Sequence, residues 1–150
     1  MKRKAHPKRF FTSEEEAAIV SAIREAEKKT SGEIRVHLAS NGGRGSTYHE
    51  AVKTFEKLGM TKTQKRDGIL IYLALKSHQF AVVGDIGIHA KVPSSFWDEV
   101  RDGMQTHFRQ GHFQEGLVTA VHYCGEKLAY YFPHQDNDKN ELPDTISSDE

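Results

Sequence analysis

Residues 67–85 read DGILIYLALKSHQFAVVGD, two apolar runs separated by a short polar break. Both runs, residues 68–75 and 80–83, are too apolar to face water and too short to form buried helices. The polar break between them is typical of the connection in a β-hairpin. The stretch therefore predicts two antiparallel strands at the centre of a sheet. Because a hairpin returns the chain to its starting edge, we expect Asp67 and Asp85 to lie at the same end of that sheet.

The segments on either side of this hairpin show helical and strand periodicity. Residues 12–30 predict a helix that Ser13 caps and in which Glu16 completes a capping box. Residues 33–39 alternate apolar and polar side chains, which predicts a strand with one face that is either solvated or partly covered. Three more helices are expected: over residues 47–58, from Pro93 to the break at Gly111, and over residues 113–131.

The resulting α-β-α-β-β-α-α order constrains the topology. The first two strands are joined by a helical crossover, so we expect them to be parallel and right-handed. The third strand runs antiparallel to the second because only a short break separates them. The order therefore predicts an α/β fold in which helices cover a small mixed sheet.

Composition excludes several functional classes. The chain has 150 residues, with 21 Lys and Arg balanced by 21 Asp and Glu, which argues against binding to nucleic acid. No run approaches the ~20 apolar residues of a membrane span, and no apolar segment follows the basic start as in a secretory signal. The single cysteine, Cys124, excludes an internal disulfide. We therefore expect a cytoplasmic protein that does not insert into membranes.

The two ends of the chain differ in charge. Residues 1–10 contain five basic side chains and no acid, whereas residues 133–150 contain six acids and one lysine. Runs of like charge are typical of solvated, disordered tails. We therefore expect a basic tail over residues 1–11, one domain over residues 12–132 and a disordered acidic tail over residues 133–150.

Three carboxylates are expected at one edge of the sheet. Parallel pairing places Glu33, at the start of the first strand, beside Asp67, and antiparallel pairing adds Asp85. Oxygen ligands of this kind suit Ca²⁺ or Mg²⁺, and crowded carboxylates can also raise a pKa far enough for acid–base catalysis. The alternative is that these acids are ordinary solvated strand ends.

The opposite edge carries the loop NGGRGS, residues 41–46. Its amides precede a helix and stand beside an arginine, so Gly43, Arg44 and Ser46 form a candidate anion site. The loop lacks the GxxxxGK[ST] pattern of phosphate-binding loops, however, and a flexible connector is the alternative.

Other catalytic signals are absent from the sequence. The nine histidines form no HExxH or His-x3-His pair, so a zinc site is not expected. No GxSxG nucleophile motif occurs, and Cys124 lies on the apolar stripe of the last helix, where a buried and inert thiol is expected. The sequence therefore assigns no catalytic residue.

Five segments together resemble one protein family: SGEIRVHLAS, RDGILIYLAL, FAVVGDIGI, FWDEV and FRQGHFQEGLVTAV. In this order they are similar to the TPM domain, a small α/β module of bacteria and plant thylakoids, over about residues 12–132. The end of the chain resembles the short, soluble bacterial branch of that family. The resemblance implies a three-layer α/β/α sandwich.

The resemblance also bears on function. A thylakoid member is associated with acid phosphatase activity and photosystem repair, and some members bind divalent ions, notably Ca²⁺. Many members have Asp-Asn-Gly before the second strand, where this chain has Arg66-Asp67-Gly68. The family's Gly-Asp-x-Gly motif is kept at Gly84, Asp85 and Gly87. The departure places a positive charge next to the proposed carboxylate cluster.

Three functional hypotheses follow. The first is a non-catalytic accessory or interaction module, whose partner is a protein such as a membrane-anchored relative. The alternative is a metal-dependent acid phosphatase that acts on phosphate monoesters and uses Glu33, Asp67 and Asp85 to hold the ion. The third is Ca²⁺ binding without catalysis, which is compatible with the first.

Overall fold

The quoted stretch folds into β2 (Gly68–Ala74) and β3 (Gln79–Gly84), and all seven residues of β2 are buried. The computed structural model describes residues 3–40, 45–134 and 144–149. The other elements of that part of the chain are α1 (Ser13–Glu27), β1 (Glu33–Ala39), α2 (Thr47–Lys57), a 3-10 turn (Met60–Lys62), α3 (Ile86–His89), α4 (Ser95–Arg109), α5 (Phe113–Tyr131) and β4 (Ser147–Ser148).

The sheet has the strand order β3-β2-β1-β4. β1 runs parallel to β2, from Glu33 opposite Gly68 to Ala39 opposite Ala74. β3 runs antiparallel to β2, as expected for a hairpin, and β4 runs parallel to β1. The predicted mixed sheet is confirmed. The expectation that both hairpin strands are central is wrong for β3, because among the described residues no strand pairs with its outer side.

Helices cover both faces of the sheet, since the central strands are apolar on both sides. One face packs against α1, α4 and α5, which contribute Ile23, Phe96 and Leu117 to the core. The other face packs against α2. Phe55 of α2 and Leu70 of β2 belong to a second core on that side. The fold is therefore the three-layer α/β/α sandwich with a small mixed sheet that the resemblance implies.

Strand β1 is more buried than its alternating pattern predicts. Glu33 and His37 are only 2% and 4% exposed. His37 is satisfied in the interior because Ser147 Oγ lies 2.8 Å from Nδ1 and Asp149 Oδ1 lies 2.8 Å from Nε2. This face is therefore the covered one of the two alternatives at Glu33 and His37, where tertiary hydrogen bonds replace water at His37, while Arg35 between them is half-buried.

The cap of α1 also differs from the prediction. Thr12, not Ser13, is the cap, and its hydroxyl accepts a hydrogen bond from the N–H of Glu15 at 3.1 Å. The Glu15 carboxylate in turn accepts from the Thr12 N–H at 3.0 Å and from Arg3 at 2.7 Å. The capping box therefore uses Glu15 rather than Glu16, because Glu15 is the third residue after a cap at Thr12.

Both ends of the chain contact the domain within the described residues. Phe10 and Phe11 are 2% and 4% exposed and belong to the core, although the sequence predicts a solvated tail over residues 1–11. Residues 144–149 lie along β1, where Ser147 and Ser148 form β4. The prediction of a disordered tail is therefore wrong for residues 144–149, while residues 135–143 lie outside the described part of the chain.

None of the described helices combines the length and the apolar character that crossing a membrane requires.

Candidate functional site

The predicted carboxylate edge is the end of the sheet, across the strands, where β1 and β2 begin and β3 ends. The N–H of Glu33 donates to the Asp67 carbonyl at 3.2 Å, and the N–H of Asp85 donates to the Gly68 carbonyl at 3.0 Å. Glu33, Asp67 and Asp85 are 2%, 1% and 5% exposed. The strand register therefore places the three residues at the neighbouring ends of adjacent strands, and the alternative of solvated strand ends is wrong because all three are buried.

Asp85 has two structural roles at this edge. It caps α3, since its Oδ1 accepts a hydrogen bond from the Ile86 N–H at 2.8 Å. It also accepts two parallel hydrogen bonds from Arg66, from Nε to Oδ2 at 2.6 Å and from Nη2 to Oδ1 at 2.8 Å. Bidentate pairs of this kind are strong and geometrically specific. The hydrogen bond to Asp85 accordingly raises the pKa of Arg66.

The backbone beside Asp85 explains the second glycine of the Gly-Asp-x-Gly motif. The Gly87 N–H donates to the Arg66 carbonyl at 2.9 Å. A Cβ at Gly87 would lie 2.3 Å from the Lys65 carbonyl oxygen and 2.5 Å from that of Arg66. Arg66 itself has a φ of 55°, in the left-handed region. The turn before β2 and the start of α3 are therefore packed backbone against backbone.

Asp67 is positioned by the residues that precede β1 and β2. Its Oδ2 accepts a hydrogen bond from Ser31 Oγ at 3.0 Å, and its N–H donates to Thr63 Oγ1 at 3.2 Å. Ser31 and Thr63 are themselves buried. Asp67 is thus held as part of the domain interior rather than presented to solvent.

Sequence reasoning missed a fourth carboxyl group near this edge, Glu27. Its Oε2 accepts a hydrogen bond from the Ile34 N–H at 2.8 Å. Burial, a hydrogen bond with the Asp144 carboxyl and the charge of Glu33 raise the pKa of Glu27 to about 10, against the opposing effect of the Ile34 N–H. Glu27 therefore holds a proton at neutral pH. Its position four residues after Ile23, in the apolar stripe of α1, is the sequence signal that marks it.

The predicted anion site is described only in part. Ser46 caps α2, with its Oγ accepting a hydrogen bond from the His49 N–H at 3.0 Å. Gly43 and Arg44 lie outside the described residues. The hydroxyl of Ser46 is thus used within the helix cap, and the anion site stays a prediction.

The carboxylate edge is a poor fit for a divalent cation as its side chains stand. Arg66 occupies both oxygens of Asp85, so a cation there would meet a fixed positive charge at close range. Over residues 3–40, 45–134 and 144–149, no group of three or more His, Cys, Asp or Glu side chains is arranged to hold a metal ion. A cation site at Glu33, Asp67 and Asp85 stays a prediction, and its use requires Asp85 to be released from Arg66.

A family model described as the TPM domain matches residues 6–127 of the chain. No curated protein matches it. Among solved structures, the chain is similar to the BA42 protein from the psychrophilic bacterium Bizionia argentinensis. The two share 44% sequence identity with a TM-score of 0.89, over 97% of this chain and 100% of that one.

Two N-terminal domains share the fold at lower identity. The one from a P. gingivalis protein has a TM-score of 0.67 and 20% identity, over 88% of this chain and 85% of that one. The one from the cg2496 protein of Corynebacterium glutamicum has a TM-score of 0.62 and 14% identity, over 93% and 80% of the two chains. These two similarities bear on the fold alone.

Proposed function

The chain belongs to the TPM domain family, and within that family we propose that it is a non-catalytic interaction module. Its partner is a protein, such as a membrane-anchored relative. In this proposal Arg66 takes the place of a divalent cation at Asp85. The bidentate pair between these two side chains, at 2.6 and 2.8 Å, is the observation that carries it.

The charge beside Asp85 distinguishes this role from metal-assisted catalysis. A metal-assisted phosphatase needs an ion that polarises a phosphoryl oxygen or activates a water. At Asp85 the neutralising charge is instead an arginine, which is always protonated and offers no open coordination position. Arg66 stands at the position where the family often has an aspartate, so the substitution both adds a cation and removes an anion. The same edge can then support the fold without binding a metal.

A second candidate is Ca²⁺ binding at Glu33, Asp67 and Asp85, with or without phosphatase activity. The observation in its favour is the burial of three carboxylates at neighbouring strand ends, which is costly unless positive charge compensates it. Arg66 is one such charge, and a bound cation would be another. The two candidates therefore differ in whether Arg66 leaves Asp85 when calcium is added.

Calcium titration of the full chain, followed by amide NMR, separates them. Wild type is expected to show no saturable shifts at residues 33, 66–68 and 84–88. Arg66→Asn, which removes the charge and suits the left-handed backbone, is expected to gain calcium-dependent shifts there. Lys65→Asn is the matched control, because it removes the neighbouring exposed charge and leaves the pair with Asp85 intact.

Enzyme assays and partner capture complete the test. Hydrolysis of p-nitrophenyl phosphate by wild type, lost with chelator and in Asp85→Asn, would establish the phosphatase and refute the proposal. Capture of a protein partner that survives chelator is the expected result. Saturable calcium binding to wild type at Asp85 without turnover would support the second candidate in its non-catalytic form.

A further inference from the structure

Strand β3 is an open edge of the sheet with an apolar sequence. It pairs with β2 on one side, and no strand among the described residues pairs with the other. Its sequence, QFAVVG, contains no charged residue and no proline. Edge strands that stay unpaired usually carry a charged residue, a proline or a bulge, which prevents pairing with another strand. This edge is therefore suited to accept another strand.

The hydrogen-bond register shows which residues face outward. The Asp85 N–H donates to the Gly68 carbonyl, so Asp85 is bonded to β2, and bonded positions alternate along an antiparallel strand. The backbone N–H and C=O groups of Phe80, Val82 and Gly84 consequently point away from β2. Three successive outward positions are enough to pair with an extended segment of about six residues.

A groove of about 250 Å³ runs along this edge. Its floor is β3, where Phe80 and Val82 line it, and its walls come from the two helical layers. Tyr48 of α2 stands on one side and is 53% exposed. Trp97 of α4 stands on the other, so close to the strand that a Cβ at Gly84 would lie 2.2 Å from its ring. Aromatic side chains thus flank the strand on both faces, and among its outward positions Phe80 is half-buried whereas Val82 and Gly84 are buried.

The charge of the groove indicates its ligand. The titratable side chains that line it are His89, Arg101 and Tyr48, and none of the described carboxylates lines it. Asp102 lines the adjoining cavity, which shares Phe80 and Arg101 with this groove. Arg101 does contact Asp98, but that pair is exposed and lies within one helix turn, so it contributes little and is easily exchanged. An acidic segment would therefore find a guanidinium beside the aromatic wall.

We propose that the outer edge of β3 binds an extended, acidic peptide segment of a partner protein as an added strand. The segment's backbone pairs with Phe80, Val82 and Gly84. Alternate side chains then face opposite layers, so carboxylates lie toward Arg101 and apolar side chains lie toward Tyr48. This inference rests on the proposed interaction role and names the partner chemistry for it.

The probe is an acetylated, amidated hexapeptide of alternating Asp and Val, titrated into the full chain and followed by amide NMR. Shifts are expected at residues 80–84, at Tyr48 and at the Trp97 indole N–H. A matched peptide with Lys for Asp, and a copy N-methylated at alternate residues, are expected to bind at least about tenfold more weakly.

Variants of the chain test the same contacts. Val82→Pro removes an outward N–H while the β2 pairing through Ala81 and Val83 is kept, and should weaken binding at least about tenfold. Arg101→Glu should do the same, whereas Arg109→Glu, an equal charge change on the same helix away from the groove, should have no effect. If Val82→Pro fails to fold, the N-methylated peptide tests the reciprocal bonds, in which peptide N–H groups donate to the outward carbonyls of β3.

Three results would overturn the proposal: no shifts at residues 80–84 with about 1 mM peptide, equal binding of the Lys peptide, or β3 shifts that depend on protein concentration alone. The last result would assign the edge to a second copy of the chain. None of them bears on Arg66 or on calcium, so this surface and the interaction role can fail separately.

Discussion

Arg66 and Asp85 join the two ends of the hairpin, since Arg66 ends the turn that precedes β2 and Asp85 directly follows β3. The pair is asymmetric: the Arg66 side chain is 40% exposed, whereas that of Asp85 is 4% exposed. Removing the arginine would leave a buried carboxylate without its bidentate partner, while the Ile86 N–H would still donate to it. The cost of losing the pair therefore falls mainly on Asp85.

Stability measurements on this pair should be non-additive. Arg66→Asn should lower the free energy of unfolding because it leaves the buried Asp85 carboxylate without its cationic partner. Asp85→Asn should lower the free energy of unfolding less in the Arg66→Asn background than in wild type, since there it removes a carboxylate that has already lost its cationic partner. Urea unfolding of the four proteins of the double-mutant cycle measures the coupling. Additive effects, with no coupling, would contradict a functional ion pair.

Gly87 should be intolerant of a side chain for reasons of space. Gly87→Ala drives Cβ into the carbonyl oxygens of Lys65 and Arg66, which are backbone atoms and cannot rotate away. We expect a loss of more than about 2 kcal/mol in the free energy of unfolding. Gly103→Ala is the matched control: in the middle of α4, no atom of the described residues that could obstruct its added Cβ lies within 4 Å.

The control should move in the opposite direction. Alanine is a better helix former than glycine, so Gly103→Ala should stabilise the chain by roughly 0.5–1 kcal/mol. Thermal or urea unfolding of both variants checks the pair. Equal changes in the free energy of unfolding for the two substitutions would show that close backbone contact is not the reason for glycine at position 87.

Elements with strong local patterns were predictable from the sequence. The bounds of β1 (Glu33–Ala39) and α5 (Phe113–Tyr131) agree with their periodicity, and β2 agrees within one residue. In each case apolar spacing and the flanking breakers decide the structure locally. The three carboxylates at one sheet edge followed from the connection order, because strand direction fixes which ends meet.

Contacts between distant segments were not predictable in this way. β4 has only two residues, and its position depends on hydrogen bonds from Ser147 and Asp149 to β1. The sequence placed a positive charge at Arg66 but could not show that the side chain pairs with Asp85 rather than facing solvent. The proton on Glu27 likewise depends on burial and on Asp144, far away in the chain.

Cys124 should be chemically inert in the folded protein. It is fully buried in α5, and burial raises the pKa of its thiol to about 12. Because the thiolate is the reactive form, labelling with a thiol reagent at pH 8 should proceed only through unfolding. The labelling rate should match global unfolding and rise with urea. Rapid labelling of the native chain would contradict the burial of this residue.

His37 offers a test of the contact between β1 and residues 144–149. Burial is the main cause that lowers the pKa of His37, and Asp149 opposes it by raising that pKa. The charges of Arg35 and Lys57 lower the pKa slightly further. Asp149→Asn should therefore lower the pKa of His37 further, as followed by the NMR titration of its ring protons. A raised or unchanged pKa would show that Asp149 does not contact the ring in solution.

The pH dependence of stability should be governed in part by Glu27. Its pKa is about 10 in the folded state and 4.5 as the ordinary value, so the folded chain holds a proton that the unfolded chain releases. Stability from this group is fully present below pH 4.5 and is lost as pH rises toward 10.

Glu27→Gln should remove this dependence, because glutamine imitates the protonated acid. Its amide oxygen can accept from the Ile34 N–H and its NH₂ can donate to Asp144. The variant should therefore be more stable than wild type at pH 8, and the two should converge near pH 4.5. Glu25→Gln, on the same helix but exposed and paired with Lys28, is the control and should leave the pH profile unchanged. Urea unfolding at a series of pH values makes the comparison, and parallel profiles for wild type and Glu27→Gln would mean that Glu27 is ionised in the folded protein.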